Sequence, residues 1–128
     1  RRLQTAVAYG QTASYVEIDP EETATEVTRP GSSTALASTR PTVSEGDRYT
    51  LVAYGGEGSL RTVLLDDNAD EPDSGEVSVR VLNAAPDAGN LDVYLTAAEA
   101  SLDDAEALQA DAAAGTVTGA TTVDAASW

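Results

Sequence analysis

Cysteine, histidine, lysine, phenylalanine and methionine are all missing from the 128 residues, and Trp128 is the only tryptophan. Without Cys there is no disulfide, thiolate metal site or thiol nucleophile. Without His or Cys, the Ser-His-Asp and Cys-His routes to nucleophilic catalysis are closed. Without Phe and Met, any core is built from Val, Leu, Ile, Ala and some Tyr. Such a thin, small-residue interior suits facing sheets better than a deep helical bundle. No apolar run approaches the roughly 18 residues of a membrane span, and no signal-peptide apolar region is present. The Arg1-Arg2 pair alone does not make a twin-arginine signal, so a signal peptide would have been removed or lie outside this chain.

What is abundant is negative charge. Against 22 acidic residues stand seven basic ones, all Arg, for a formal charge of −15. That balance repels nucleic acid and anionic lipid and favours solubility and cations. It fits a solvated surface in a salty or extracellular medium. The length is that of a single domain with a modest core.

Period-two alternation dominates the pattern. Val77, Val79 and Val81 alternate with Ser78 and Arg80. After a Pro86-Asp87-Ala88-Gly89-Asn90 corner, Leu91, Val93 and Leu95 alternate with Asp92, Tyr94 and Thr96. Earlier, strands are predicted over Leu3–Tyr9 and Thr12–Ile18 on either side of Gly10. Two more, Thr23–Thr28 and Thr34–Thr39, flank the Arg29-Pro30-Gly31-Ser32 turn. Tyr49–Tyr54 and Leu60–Leu65 form a hairpin across Gly55-Gly56-Glu57-Gly58, a loop that lacks the Lys and following helix of a phosphate cradle. Tyr49, opening a strand just after a turn, has the placement of a tyrosine corner.

From Thr96 the composition turns to Ala, Asp and Glu. Ser101-Leu102-Asp103-Asp104 resembles a capping box, which allows a short helical turn through Ala107, and local propensity would run it on to Ala114. A repeat opposes that extension. Leu108-Gln109, Gly115 and Val123-Asp124 follow Leu3-Gln4, Gly10 and Ile18-Asp19 at one constant offset of 105 residues. Residues 108–123 are therefore read as a second copy of the 3–18 strand pair. A period of that size is one sandwich domain in a tandem array. Trp128 falls where the first copy starts its Thr23 strand.

Val79-Arg80-Val81-Leu82-Asn83-Ala84-Ala85-Pro86-Asp87-Ala88, then Leu91-Asp92-Val93-Tyr94, resembles the opening motif of the bacterial and archaeal family known as domain of unknown function 4397. Tyr49-Thr50-Leu51-Val52-Ala53 and the hairpin to Leu65-Asp66-Asp67 resemble its closing motif. Ala8-Tyr9-Gly10 leading to Tyr15 resembles its middle. The resemblance implies an exported, often tandem, immunoglobulin-like module, and it carries no catalytic residue across. Here the closing motif comes first. The expected fold is thus all-β, an antiparallel immunoglobulin-like sandwich of about seven to nine strands. It would be circularly permuted or completed by strand exchange, with at most one short helical turn near 101–107. The expected organisation is residues 1–67 closing one repeat, an acidic linker or loop at 68–75, and residues 76–128 opening the next.

Oxygen-rich clusters are the first candidates for chemistry. Asp66, Asn68 and Asp70 match the D-x-N-x-D start of a calcium loop. Glu71 replaces the Gly of the sixth position, Val77 stands at the twelfth, and Glu76 falls one place early, so a complete EF-hand is ruled out. Asp66, Asn68, Asp70 and Asp73 remain as a looser calcium site, set against a plain solvated acidic linker. Asp87, Asn90 and Asp92 form a second cluster, read as turn chemistry in which side chains bond the backbone. Tyr15, Tyr54 and Tyr94 could make a sugar-binding face or serve as cross-strand packing partners. Paired carboxylates suited to glycoside hydrolysis carry no information in so acidic a chain.

The sequence thus points to a non-enzymatic structural or adhesive module of an exported, repeat-built surface protein, extracellular or cell-surface. It would require no cofactor and associate with itself or with neighbouring repeats, with a glycan or a surface protein as further partners. Nucleic acid and direct membrane insertion are not expected. The alternative is a ligand-binding module for calcium or glycan.

Overall fold

In the computed structural model, residues 2–126 are described; Trp128, where the repeat would start its next strand, lies outside them. Every regular element among them is β, apart from one 3-10 turn at Pro86–Ala88. The strands are β1 (Thr25–Thr28), β2 (Ala35–Thr39), β3 (Tyr49–Tyr54), β4 (Arg61–Asp66), β5 (Glu76–Val79), β6 (Leu91–Val93), β7 (Gln109–Ala112) and β8 (Thr121–Asp124). They form four antiparallel two-stranded ribbons, β1-β2, β3-β4, β5-β8 and β6-β7. The chain divides into one unit ending at Asp67 and another beginning at Asn68.

In the first unit the strongest ribbon is β3-β4, in unbroken register from Tyr49↔Asp66 to Tyr54↔Arg61. It closes through the glycine loop, where Ser59 N–H donates to Gly56 O at 3.1 Å and Gly55 has φ +99°. In β1-β2, the Pro30-Gly31 turn is closed by Ser32 N–H to Arg29 O at 3.0 Å. Pro presets the first corner and Gly31, at φ +77°, supplies the left-handed second one. Register slips once between Val27 and Thr28, so that Thr28 faces Ala35. The Arg29–Glu57 ion pair beside it is solvent-exposed on both sides and adds little.

Tyr49 makes the corner its position predicts. Its hydroxyl accepts from Ser44 N–H at 3.1 Å and donates to Asp47 Oδ2 at 3.3 Å. The bond to backbone five residues upstream pins the 44–47 turn to the start of β3. Tyr49→Phe should therefore cost about 1 kcal/mol, the ordinary worth of one such bond. A chemical-denaturation midpoint for the first unit measures it.

The segments 3–9 and 12–18 differ from expectation. Their turn is present, with Gln11 N–H to Ala8 O at 3.0 Å and Gly10 at φ +74°. Gln4 Nε2 also reaches Ser14 O at 2.9 Å across the two arms. Yet no ladder joins them. Ala6 has φ +52°, and Val7, Tyr9 and Tyr15 are 52%, 106% and 66% exposed. Alternation makes a strand only when one face has something to pack upon.

In the second unit β5 pairs with β8 from Glu76↔Asp124 to Val79↔Thr121, and Ala125 N–H to Gly75 O extends the ladder at 2.8 Å. β6 pairs with β7 through Leu91↔Ala112 and Val93↔Gln109. Both strands expected within 108–123 exist, but each finds its partner in the 76–93 stretch rather than in the other. A turn at 113–116, closed by Thr116 N–H and Oγ1 to Ala113 O at 3.3 and 2.7 Å, carries the chain from one ribbon to the next. The 101–107 stretch forms turns instead of a helix. Ser101 Oγ accepts from Asp103 N–H at 3.2 Å and Leu102 O from Ala105 N–H at 3.1 Å. Leu102 is 59% exposed, so a helix there would have no apolar stripe to bury.

Burial is sparse throughout. Among the described residues only Ala112 is a buried apolar side chain, and no large side chain is fully enclosed.

Candidate functional site

The best-built place lies in the second unit, around Asn83. This residue follows Val81-Leu82, where an unbroken alternation would bring the next apolar side chain, and it is 4% exposed. Burying an amide is costly unless each polar atom is bonded. Here Nδ2 donates to Gly89 O and to Ala112 O, both at 2.9 Å, and Oδ1 accepts from Ala85 N–H at 3.0 Å. Its own carbonyl accepts from Gly115 N–H at 2.7 Å. One side chain thus fixes the Pro86 corner and clamps it to β7. Flanking bonds extend the junction: Thr118 N–H to Val81 O at 2.9 Å, Val81 N–H to Thr118 Oγ1 at 3.0 Å, and a bridge pairing Leu82 with Val117. This arrangement holds backbone to backbone.

The second oxygen cluster is spent the same way. Asp92 Oδ1 accepts from Asp111 N–H at 2.8 Å, and Asn90 Nδ2 donates to Asp111 Oδ1 at 2.8 Å. Both side chains stitch β6 to the strand beside it, across some twenty residues of sequence. Asp87 lies in the 3-10 turn.

The acidic run falls on both units. Asp66 ends β4 opposite Tyr49, whereas Asn68, Asp70 and Asp73 belong to the second unit. Asp73 O accepts from Glu76 N–H at 3.0 Å, turning the chain into β5. Asp66 and Asn68 each hold an interaction. Among the described residues no three or more His, Cys, Asp or Glu stand together as a metal-holding group. The carboxylate with the best-defined partners is Asp67, outside the expected ligand set. Its Oδ2 accepts from Thr50 Oγ1 at 2.6 Å and Tyr15 OH at 2.9 Å, while its N–H donates to Arg48 O at 2.9 Å. Tyr15 and Tyr54 belong to the first unit and Tyr94 to the second. Tyr54 lies opposite Arg61 on the β3-β4 ribbon, and Tyr94 is 39% exposed.

One open cavity of about 410 Å³ lies in the first unit, between Leu3, Ile18, Ala24 and the charged Glu21, Glu22 and Arg40. It sits at the root of the unladdered 3–18 arms. No helix among the described residues is long and apolar enough to cross a membrane.

Sequence pattern and structure together define an all-β protein of antiparallel ribbons, with the buried amide of Asn83 tying backbone segments together in the second unit. The chain belongs to the family described as domain of unknown function (DUF4397), whose model matches residues 1–94. No curated protein and no solved structure matches it.

Proposed function

We propose that the chain is a non-enzymatic structural module of an exported, repeat-built surface protein, completed by strand pairing with neighbouring repeats. The observation that carries this reading is the surface left open. A folded body of 13.1 kDa exposes about 6,400 Å², and two separate bodies of half that mass about 7,700 Å² together. This chain exposes 9509 Å². Each strand pairs with a single neighbour, which leaves ladder edges of the kind that recruit further strands. Isolated two-stranded ribbons are marginal in water, so additional strands bring stability as well as attachment.

The charge of −15 supports an extracellular or cell-surface setting, since it keeps such modules soluble where ions are plentiful. In this reading the acidic stretch at 68–75, which follows β4, is a connector rather than an ion site. The thermal midpoint should therefore stay within about 1 °C on adding millimolar calcium, because a ligand bound only to the folded form would raise it. A calcium-dependent rise, lost in Asp70→Asn/Asp73→Asn, would favour the cation-binding module instead. A glycan array tests the sugar-binding alternative.

The direct test of assembly is light scattering across a concentration series. Mass should rise above 13.1 kDa while the circular-dichroism spectrum stays β. A mass fixed at the monomer value at every concentration would contradict it.

A further inference from the structure

Residues 3–18 and 108–123 share a turn and two positive-φ positions at one fixed offset. Among the described residues, two of the three non-glycine positions with positive φ are Ala6 (+52°) and Asp111 (+54°), 105 residues apart. Such residues are uncommon, so their shared offset is informative. Gly10 (+74°) and Gly115 (+79°) stand at that same separation. The turn bonds Gln11 N–H to Ala8 O and Thr116 N–H to Ala113 O obey it too.

Their surroundings differ. In 108–123 the chain is laddered: β7 lies on β6, β8 lies on β5, and Asn83 clamps the turn between them. In 3–18 there is no ladder, and Val7, Tyr9, Tyr15, Val16 and Ile18 are exposed.

From this we infer that Leu3–Ile18 is an acceptor for an opening segment of the Glu76–Tyr94 type, supplied by another repeat of the same family. The second unit is the template for the complex. Residues 4–7 take the place of β7 and residues 16–19 that of β8. The incoming Asn83 donates to Val7 O as it does to Ala112 O, Gly10 N–H donates to the incoming Asn83 O, and Ala6 N–H to the incoming Asp92. Charge agrees with this occupant. Residues 1–18 hold two arginines against Glu17, whereas residues 76–95 hold Glu76, Asp87 and Asp92 against Arg80. Recognition is by strand addition, with backbone bonds giving affinity and the buried amide giving register.

The inference rests on the structural-module reading and names the partner that completes it. The test adds a synthetic peptide of residues 76–95, or the same peptide with Asn83→Ala, in excess to the full 128-residue chain. Amide exchange is then followed by mass spectrometry. The native peptide should slow exchange over residues 3–18 about tenfold or more, and the Asn83→Ala peptide by less than about twofold. No slowing by the native peptide, or equal slowing by both, overturns the assignment. If exchange at 3–18 is unchanged while the chain's mass still rises with concentration, this acceptor is wrong and the structural-module reading stands. If the mass is also fixed at the monomer value, both fall.

Discussion

Replacing Asn83 by Ala is expected to cost the second unit about 3 kcal/mol, because several backbone groups lose a partner at a buried position at once. Gly89 O and Ala112 O lose their shared donor, and Ala85 N–H loses its acceptor. A unit of some sixty residues has only about 3–9 kcal/mol to lose, so much of it should unfold at ambient temperature. Amide exchange over β7 should rise toward unprotected rates while exchange over β3-β4 is unchanged. Asn83→Asp keeps the shape and the Oδ1 acceptor but removes both donations and buries a charge, so it should be at least as damaging. A loss below about 0.5 kcal/mol in both variants would mean the amide is not the clamp described here.

The second large effect is expected at Gly55. A Cβ there would stand 2.8 Å from Ser59 O, a backbone atom, at a φ of +99° that side chains rarely adopt. Contact and strain act together, so Gly55→Ala should cost the β3-β4 ribbon about 2–3 kcal/mol. Gly56→Ala is the internal control. Its Cβ would meet only Ser59 Oγ at 3.7 Å, and the change should stay within about 0.5 kcal/mol. Denaturation midpoints of the two variants, measured side by side, separate loop geometry from glycine content. Equal midpoints would remove the steric argument.

How much of this was legible depended on whether the deciding contact was local. The β3-β4 hairpin could be read directly, since dense alternation flanks a glycine loop and the turn itself sets the register. β1-β2 was legible for the same reason, through Pro30-Gly31. The Tyr49 corner followed from position alone, because its partners lie within five residues. The arms at 3–18 carry equally clear alternation and yet form no strands. What they lack is a neighbouring face, which period-two patterning cannot report. Conversely, β7 and β8 sit in an alanine-rich tract whose propensity favours helix. They are strands because β5 and β6 offer edges, a long-range fact visible in the sequence only as the 105-residue repeat.

The site was less legible than the fold. Carboxylate spacing drew attention to Asp66, Asn68, Asp70 and Asp73, whereas the most thoroughly bonded polar side chain is Asn83. Its signal was present: an amide where the Val-x-Val-x-Val alternation leads, immediately before an Ala-Ala-Pro corner. A polar residue in that place must satisfy several backbone groups or destabilise the fold. Asp67 was hidden differently, since its partners Thr50 and Tyr15 are 17 and 52 residues away.

In the proposed assembly, residues 3–18 are completed by the same strands that complete residues 108–123. The most direct measurement fuses a second copy of residues 76–105 ahead of Arg1, which restores the 105-residue spacing in phase. Amide protection over 3–18 should then match that over 108–123, and the thermal midpoint of the first unit should rise by about 10 °C, as a few kcal/mol of added ladder would produce. If the fused chain melts where the parent does and residues 3–18 exchange as before, the claim is contradicted.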